Sequence, residues 1–292
     1  MLAPGGLWSA LDVVGETGST NEDLLAAVGA GTAEGAVLVA ERQTRGRGRQ
    51  GRSWVTPPGA ALTFSVLLRP AVPPAERGWL PLLAGVALAR AVHAVTGVGV
   101  ALKWPNDLLA TSRLPGSGPD DGKLAGILAE QADGAIVVGV GLNVGAAREE
   151  LPEPRPGALR PTSLALQGAT AVDRGVLLAA VLRELESWYL RWTAAAVAGS
   201  PAGTAADRGA SAGQGPAADR GGAADFGAAA VSGLSAEYQE WCSTIGREVR
   251  VELPGATHLH GVAAGIDQVG RLIVTTETGS QAISAGDVIH VR

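Results

Sequence analysis

Residues 79–97, "WLPLLAGVALARAVHAVTG", carry apolar side chains on nearly every side of a helix and end on glycine. A helix with one apolar stripe can lie on a protein surface, but one that is apolar nearly all round has to be enclosed. The chain must therefore build its core around this segment. Gly97 closes it, because glycine best accepts the left-handed conformation that ends a helix. No stretch approaches the ~20 apolar residues of a membrane span. The N-terminal "MLAPGGLWSALDVVGETGS" also lacks a basic start followed by a sustained apolar run.

The material to enclose that helix surrounds it. "STNEDLLAAV" reads as a helix start: Ser19, Thr20 or Asn21 caps, Glu22 and Asp23 occupy the first turn, and Leu24, Leu25 and Val28 form an apolar stripe. "GAVLVAERQT" and "ALTFSVLLRP" read as strands, the second ended by Pro70. "GVALKWPND" is a strand entering a Trp-Pro turn, and "SRLPGSGPDDG" is a loop. "KLAGILAEQ" and "GAIVVGVGLNV" are two strands joined near Asp133-Gly134. "DRGVLLAAVLRELESWYLRW" is an amphipathic helix with Leu177, Val181, Leu185, Trp188 and Trp192 at helical spacing.

From about Ala198 to Ser232 the chain is almost wholly Ala, Gly, Ser, Pro and Asp-Arg, with the near copies "AADRGA" and "AADRGG". It lacks the side chains to build a core and reads as a disordered insertion over 198–232. "SAEYQEWC" resumes a short helix. From Gly246 onward short alternating strands separated by Gly/Pro turns predict a small antiparallel barrel or sandwich.

Between Gln43 and Trp54 the chain reads "QTRGRGRQGRSW", with Arg45, Arg47, Arg49 and Arg52 alternating with glycines. Glycines let backbone N–H groups converge on an anion, and arginines add charge-assisted hydrogen bonds. The loop sits on a body of formal net charge -5. A nucleic-acid-coating domain normally wants a strongly basic balance, so a small anionic ligand is favoured. The spacing matches neither a P-loop nor G-x-G-x-x-G on a strand-helix turn. Cys242 is the only cysteine, which excludes an intrachain disulfide or cysteine metal cluster and fits a reducing cytoplasm. His258 and His260 share a strand face, with no third ligand in view.

Only Lys103 and Lys123 are lysine among 23 basic residues, and the asparagines are Asn21, Asn106 and Asn143. Alanine, glycine, arginine and proline abound, as a coding bias against AT-rich codons would produce. Lysine is a point charge and arginine a wide fork, so surviving lysines mark places where arginine cannot serve. All five residues fall in stretches with site character. "KWPND" brings a cation (Lys103), an amide (Asn106) and a carboxylate (Asp107) onto one turn, a set suited to phosphate and Mg²⁺. Lys123 begins "KLAGILAE", placed to meet a carboxylate and an α-phosphate. In "GVGLNVG" the glycines permit close backbone approach and Asn143 suits an adenine edge. The residues themselves point to a nucleotide-using site under a mobile basic loop.

The ordered series G-S-T-N, Q-x-x-G-R-G-R-x-G-R-x-W, K-W-P-N-D, K-L-A-G-I-L and G-x-G-x-N-V, within residues 15–145, resembles the biotin–protein ligases. The resemblance implies an α+β fold: a class II aminoacyl-tRNA synthetase-like catalytic domain with a mixed or antiparallel sheet and helices, plus an SH3-like barrel. The catalytic domain would take 1–197 and 233–245, and the barrel 246–292. The implied reaction makes biotinyl-5′-AMP from biotin and ATP. Biotin then passes to a lysine of the biotin carboxyl carrier domain of acyl-CoA carboxylases.

By motif match, Ser19, Thr20 and Asn21 take the biotin ureido end, with Gln43 beside it. Arg47, Gly48 and Arg49 wrap the carboxylate and phosphates, and Lys123 bridges biotin carboxylate and α-phosphate. Asn143 reads adenine, with Trp54 stacked on it. Lys103, Asn106 and Asp107 serve phosphate and Mg²⁺, Gly126 is a substrate-contacting position, and Asp107 alternatively serves the acceptor lysine. Arg45 and Arg52 only add field or fix the loop. The loop is expected to be a lid, mobile when empty. "GSTN" lies too near the start to leave room for a DNA-binding domain, so a ligase without repressor function is expected. It is expected to be cytoplasmic, a monomer or weak homodimer, and bound to neither DNA nor membrane. The rival readings are a lipoate ligase, lacking the arginine loop; a nucleic-acid-binding module using the arginine loop; and a catalytically dead biotin sensor, which the intact Lys123 argues against.

Overall fold

The computed structural model describes residues 5–55, 57–111, 122–154, 158–199, 227–253 and 257–291. In chain order, α1 (Thr20–Gly29) lies between β1 (Ala10–Thr17) and β2 (Ala36–Gln43). Next come β3 (Ala61–Leu68) and α2 (Leu80–Thr96), then β4 (Val100–Lys103), β5 (Asp107–Ala110), β6 (Gly122–Ala132) and β7 (Ala135–Asn143). Three helices follow, α3 (Arg174–Gly199), α4 (Ala228–Val231) and α5 (Leu234–Trp241). The last strands are β8 (Glu248–Leu253), β9 (Thr257–Ile266), β10 (Leu272–Thr276), β11 (Gly279–Ile283) and β12 (Asp287–His290).

The first seven strands form one sheet in the order β1-β2-β3-β7-β6-β5-β4. β1 and β2 are parallel, and every other neighbouring pair is antiparallel. Period-2 alternation divides its faces. On one face Leu62, Phe64, Val66 and Leu68 of β3, with Val138 and Val140 of β7, join the main core that holds α2 and α3. On the other, Leu67 and Val137 meet Leu24 and Val28 of α1. This explains why β3 is buried at every position. α2, enclosed between sheet and α3, buries Leu80, Leu82, Leu83, Val86 and Leu88. Each such side chain contributes about 1.5–3 kcal/mol relative to leaving it in water. Gly97 ends the helix at φ 69°, its N–H donating to His93 O at 2.9 Å. The expectation about membrane-length stretches is corrected. Pro74–Thr96 has the length and apolarity of a span, and most of it is buried inside the protein.

The C-terminal strands form a separate antiparallel sheet, ordered β11-β10-β9-β8-β12, the SH3-like unit. Two tryptophans fasten it to the seven-stranded unit. Trp79 Nε1 donates to Gln268 O at 2.8 Å, and Trp104 Nε1 to Gly270 O at 3.2 Å.

β1 and β5 go beyond the sequence reading. β1 is an edge strand with mostly exposed side chains, so no buried face stamps a period on it. β5 is four residues long, too short to show one. The predicted insertion is also corrected at its ends: α3 runs to Gly199, and α4 is ordered with Ala228 and Ala229 buried. Alanines lack bulk but still fill a tight helix contact. The middle of that stretch and most of the 112–122 loop lie outside the described residues.

Candidate active site

The sheet face that carries α1 changes character beyond that helix's N-terminus. Gly126 of β6 pairs with Gly141 of β7, and Leu128 pairs with Gly139. Thr63 and Ser65 of β3 stand opposite Gly141 and Gly139. Small side chains leave a floor on which other groups can lie. A Cβ at Gly139 would overlap Asn21, and one at Gly141 would overlap the Trp54 indole. A cleft opens there, lined by Ser19, Thr20, Asn21, Gln43, Arg47, Gly48, Trp54, Asn106 and Gly126, among others.

Ser19 caps α1, its side chain accepting from Glu22 N–H at 3.5 Å. The cap places Thr20 and Asn21, both buried, against the floor. Thr20 N–H donates to Gln43 Oε1 at 2.8 Å. The Thr20 and Ser65 hydroxyls are 2.7 Å apart, and Ser65 donates to Asn21 Oδ1 at 2.6 Å. Asn21 Nδ2 in turn donates to Glu130 Oε2 at 2.8 Å and to Leu128 O at 3.2 Å. Such a chain of polar groups, buried at Thr20, Asn21 and Ser65 and partly exposed at its Gln43 and Glu130 ends, fixes the orientation of its members.

The arginine loop is a closed excursion between β2 and β3. Gly48 N–H donates to Arg52 O at 2.7 Å and Trp54 N–H to Gly46 O at 2.8 Å. Gln50, at φ 55°, makes the reversal. The four arginines separate. Arg47 Nη2 lies 2.6 Å from Glu130 Oε1, and its Nη1 lies 3.4 Å from Glu22. Arg49 Nη1 reaches Asn106 Oδ1 and Gly286 O, both at 3.4 Å, and burial lowers its pKa. Arg52 pairs with Asp287 at the start of β12. Arg45 is largely exposed, 3.6 Å from Glu22.

The "KWPND" turn lies across the cleft. Asn106 is locked to β6: its Nδ2 donates to Ile127 O at 2.8 Å, while Ile127 N–H donates to Asn106 O at 2.9 Å. Lys123 Nζ sits 2.7 Å from Asp107 Oδ1 and 5.9 Å from the Trp54 ring centroid. Lys103 stands opposite Asp107 in the β4–β5 register. Burial holds its ammonium below the usual lysine pKa; Asp107 opposes that shift, and Lys123, Arg52 and Arg49 add to it. This is the most cationic corner of the site, and a polyanion entering it would meet several desolvated positive charges.

Not every predicted residue lines the cleft. Lys123, Asp107 and Lys103 are set around the Trp54 side of it. Asn143 is buried and its Nδ2 donates to Thr162 O at 2.9 Å. Arg49 lines a second cleft, shared with Trp104, Pro105 and Val269 between sheet and barrel. Sequence reasoning missed Ser65, Glu130 and Asp287. A serine inside the otherwise apolar "ALTFSVLL" and a glutamate closing "GILAE" were the available signals; Asp287 carried none. Among the described residues, no three His, Cys, Asp or Glu side chains gather to hold a metal. His258 and His260 lie together on an exposed strand face.

A family described as "Biotin/lipoate A/B protein ligase family" matches residues 19–146, and "Biotin protein ligase C terminal domain" matches 244–291. The biotin--[acetyl-CoA-carboxylase] ligase of Mycobacterium tuberculosis is 40% identical over 297 residues, covering all of this chain and 93% of that protein. A protein of the same name from Paracoccus denitrificans is 29% identical, covering 94% of this chain and 98% of that protein. The solved biotin protein ligase from Aquifex aeolicus in complex with biotin and ATP superposes with a TM-score of 0.71 at 25% identity, covering 98% of this chain and 100% of that one. Agreement over the full length, catalytic sheet and C-terminal barrel together, makes this chain a member of the biotin–protein ligase family.

Proposed function

We propose that this protein activates biotin with ATP and transfers it to a lysine of the biotin carboxyl carrier domain of an acyl-CoA carboxylase. The observation that carries the reading is one continuous arrangement. The polar pocket of Thr20, Asn21 and Gln43 opens under the arginine loop, with Lys123 at its far side. In the first step a biotin carboxylate oxygen attacks the α-phosphorus and pyrophosphate leaves. Two anions must meet, so positioned positive charge is the main contribution the protein can make. Lys123, Arg47 and Arg49 supply it. In the second step the acceptor amine attacks the acyl carbonyl, the acyl–phosphate bond breaks and AMP leaves. Asp107 is placed beside Lys123 to orient that amine or take its proton.

Mg²⁺ brought by ATP would neutralise phosphate charge, as is usual for an ion that keeps few protein ligands. Asp107 and Asn106 are the residues that would complete its shell. The pairing of Asp107 with Lys123 favours the acceptor role over a metal role. Trp54 offers a stacking face for the adenine. Asn143, with its Nδ2 held by Thr162 O, is assigned to the adenine end. The arginine loop acts as a lid that keeps water from a reactive mixed anhydride. The free, buried Cys242 agrees with a cytoplasmic setting.

The test is incubation with MgATP, biotin and a carrier domain, followed by mass spectrometry. A biotin-sized mass gain on the carrier lysine, dependent on ATP, is expected. No gain with an intact carrier would refute the reading.

A further inference from the structure

Glu130 is not among the residues that the ligase reaction needs on chemical grounds, yet its two carboxylate oxygens face different parts of the site. Oε2 accepts from Asn21 Nδ2 at 2.8 Å, at the end of the hydrogen-bond chain that runs through Ser65 to Thr20. Oε1 lies 2.6 Å from Arg47 Nη2 in the arginine loop. One side chain therefore joins the polar pocket to the loop. The chain's polarity is set as well: Ser65 donates to Asn21 Oδ1, so the amide must turn Nδ2 toward Glu130.

We propose that Glu130 is a positioning residue that holds Arg47 as an exchangeable counter-ion and releases it to the adenylate. This rests on the biotin-ligase reading of the site. Arg47 has one guanidinium, and the pair with Glu130 is partly exposed, with side chains 38% and 26% accessible. A partly exposed pair contributes little to global stability, but it competes directly with any phosphate or carboxylate that Arg47 would bind. Glu22 is a weaker second partner at 3.4 Å. Without such a partner the loop would lose one of its ties to β6. With too strong a partner, Arg47 would not leave. An accessible carboxylate, displaced by a ligand of higher charge, meets both conditions. Its second oxygen keeps the Asn21 amide aligned throughout.

Glu130→Gln separates the two functions, because a glutamine carbonyl still accepts from Asn21 but no longer carries charge. In Glu130→Gln without ligand, trypsin should cut within residues 45–52 several-fold faster than in wild type. A non-hydrolysable biotinyl-adenylate analogue should bind several-fold tighter and restore full protection. Affinity for biotin alone should stay within about twofold, whereas Glu130→Ala should weaken it, since Asn21 Nδ2 then loses its shorter acceptor and keeps only Leu128 O. In wild type alone, rising salt should speed loop cleavage, because the tie is electrostatic. Weaker analogue binding in Glu130→Gln would mean that the pair persists with ligand bound, and would overturn the exchange. So would unchanged cleavage in the variant or no salt effect in wild type. Wild type that neither binds the analogue nor releases pyrophosphate from ATP and biotin would instead sink the underlying ligase reading.

Discussion

The ammonium of Lys123 lies 2.7 Å from Oδ1 of Asp107, so the two charged residues expected at the reacting atoms are already in contact. Each comes from a different motif. The contact exists because β5 and β6 are antiparallel neighbours, with Asp107 paired to Gly126 and Leu109 to Lys123 across a register shift. An anion drawn to Lys123 therefore arrives beside a carboxylate able to accept a proton.

Asp107→Asn removes that acceptor and keeps the shape. Adenylate formation should persist while transfer to the carrier lysine slows by roughly 10²–10⁴, the usual scale for losing a general base. Single-turnover pyrophosphate release compared with transfer from preformed adenylate measures the split. Equal losses in both steps would make Asp107 only a counter-ion for Lys123.

Arg49→Gly cuts the loop free from Asn106 and Gly286 and adds backbone freedom at the same position. Biotinyl-AMP should dissociate at least tenfold faster and label exposed lysines of bystander proteins. Retention of the adenylate by gel filtration as in wild type would contradict the lid.

Gly139→Ala would place a methyl group on Asn21 Oδ1 and break its bond from Ser65. Overpacking of this kind costs about 1–3 kcal/mol of stability. KM for biotin should rise about tenfold or more, with KM for ATP much less changed. Calorimetric titration with biotin, alongside thermal unfolding, distinguishes the pocket effect from the general one.

His290 sits where barrel meets catalytic domain, with Nε2 3.1 Å from Thr244 Oγ1, which accepts from Trp104 N–H at 3.1 Å. Burial first, then Lys103 and Arg247, lower its pKa from 6.5 to about 4. The unfolded chain thus binds the extra proton in the window between those values, so stability falls as pH drops from about 6.5 to about 4. The loss is on the order of 2–3 kcal/mol. Urea unfolding across that window should show it in wild type, and His290→Gln should flatten the His290 share.

Much of this protein was determined by local sequence. The all-round apolar segment could only be the enclosed α2, and Gly97 could end it because glycine tolerates φ 69°. Ser19 capped α1 by its own side chain, and "GVGLNVG" announced a backbone open to close approach. Many of the residues that the motif series named line one cleft, and the series stood out because its residue types are chemically costly to exchange: two lysines in a chain that otherwise uses arginine. What local sequence could not determine is which groups meet. Glu130 touches Arg47 across 83 residues, and Asp287 touches Arg52 only because the barrel is docked on the catalytic sheet. Such pairs depend on strand order and register, which long-range packing decides. The edge strand β1 and the buried alanines of α4 were equally invisible. Their identities are ordinary, and only their neighbours in the folded chain give them a place.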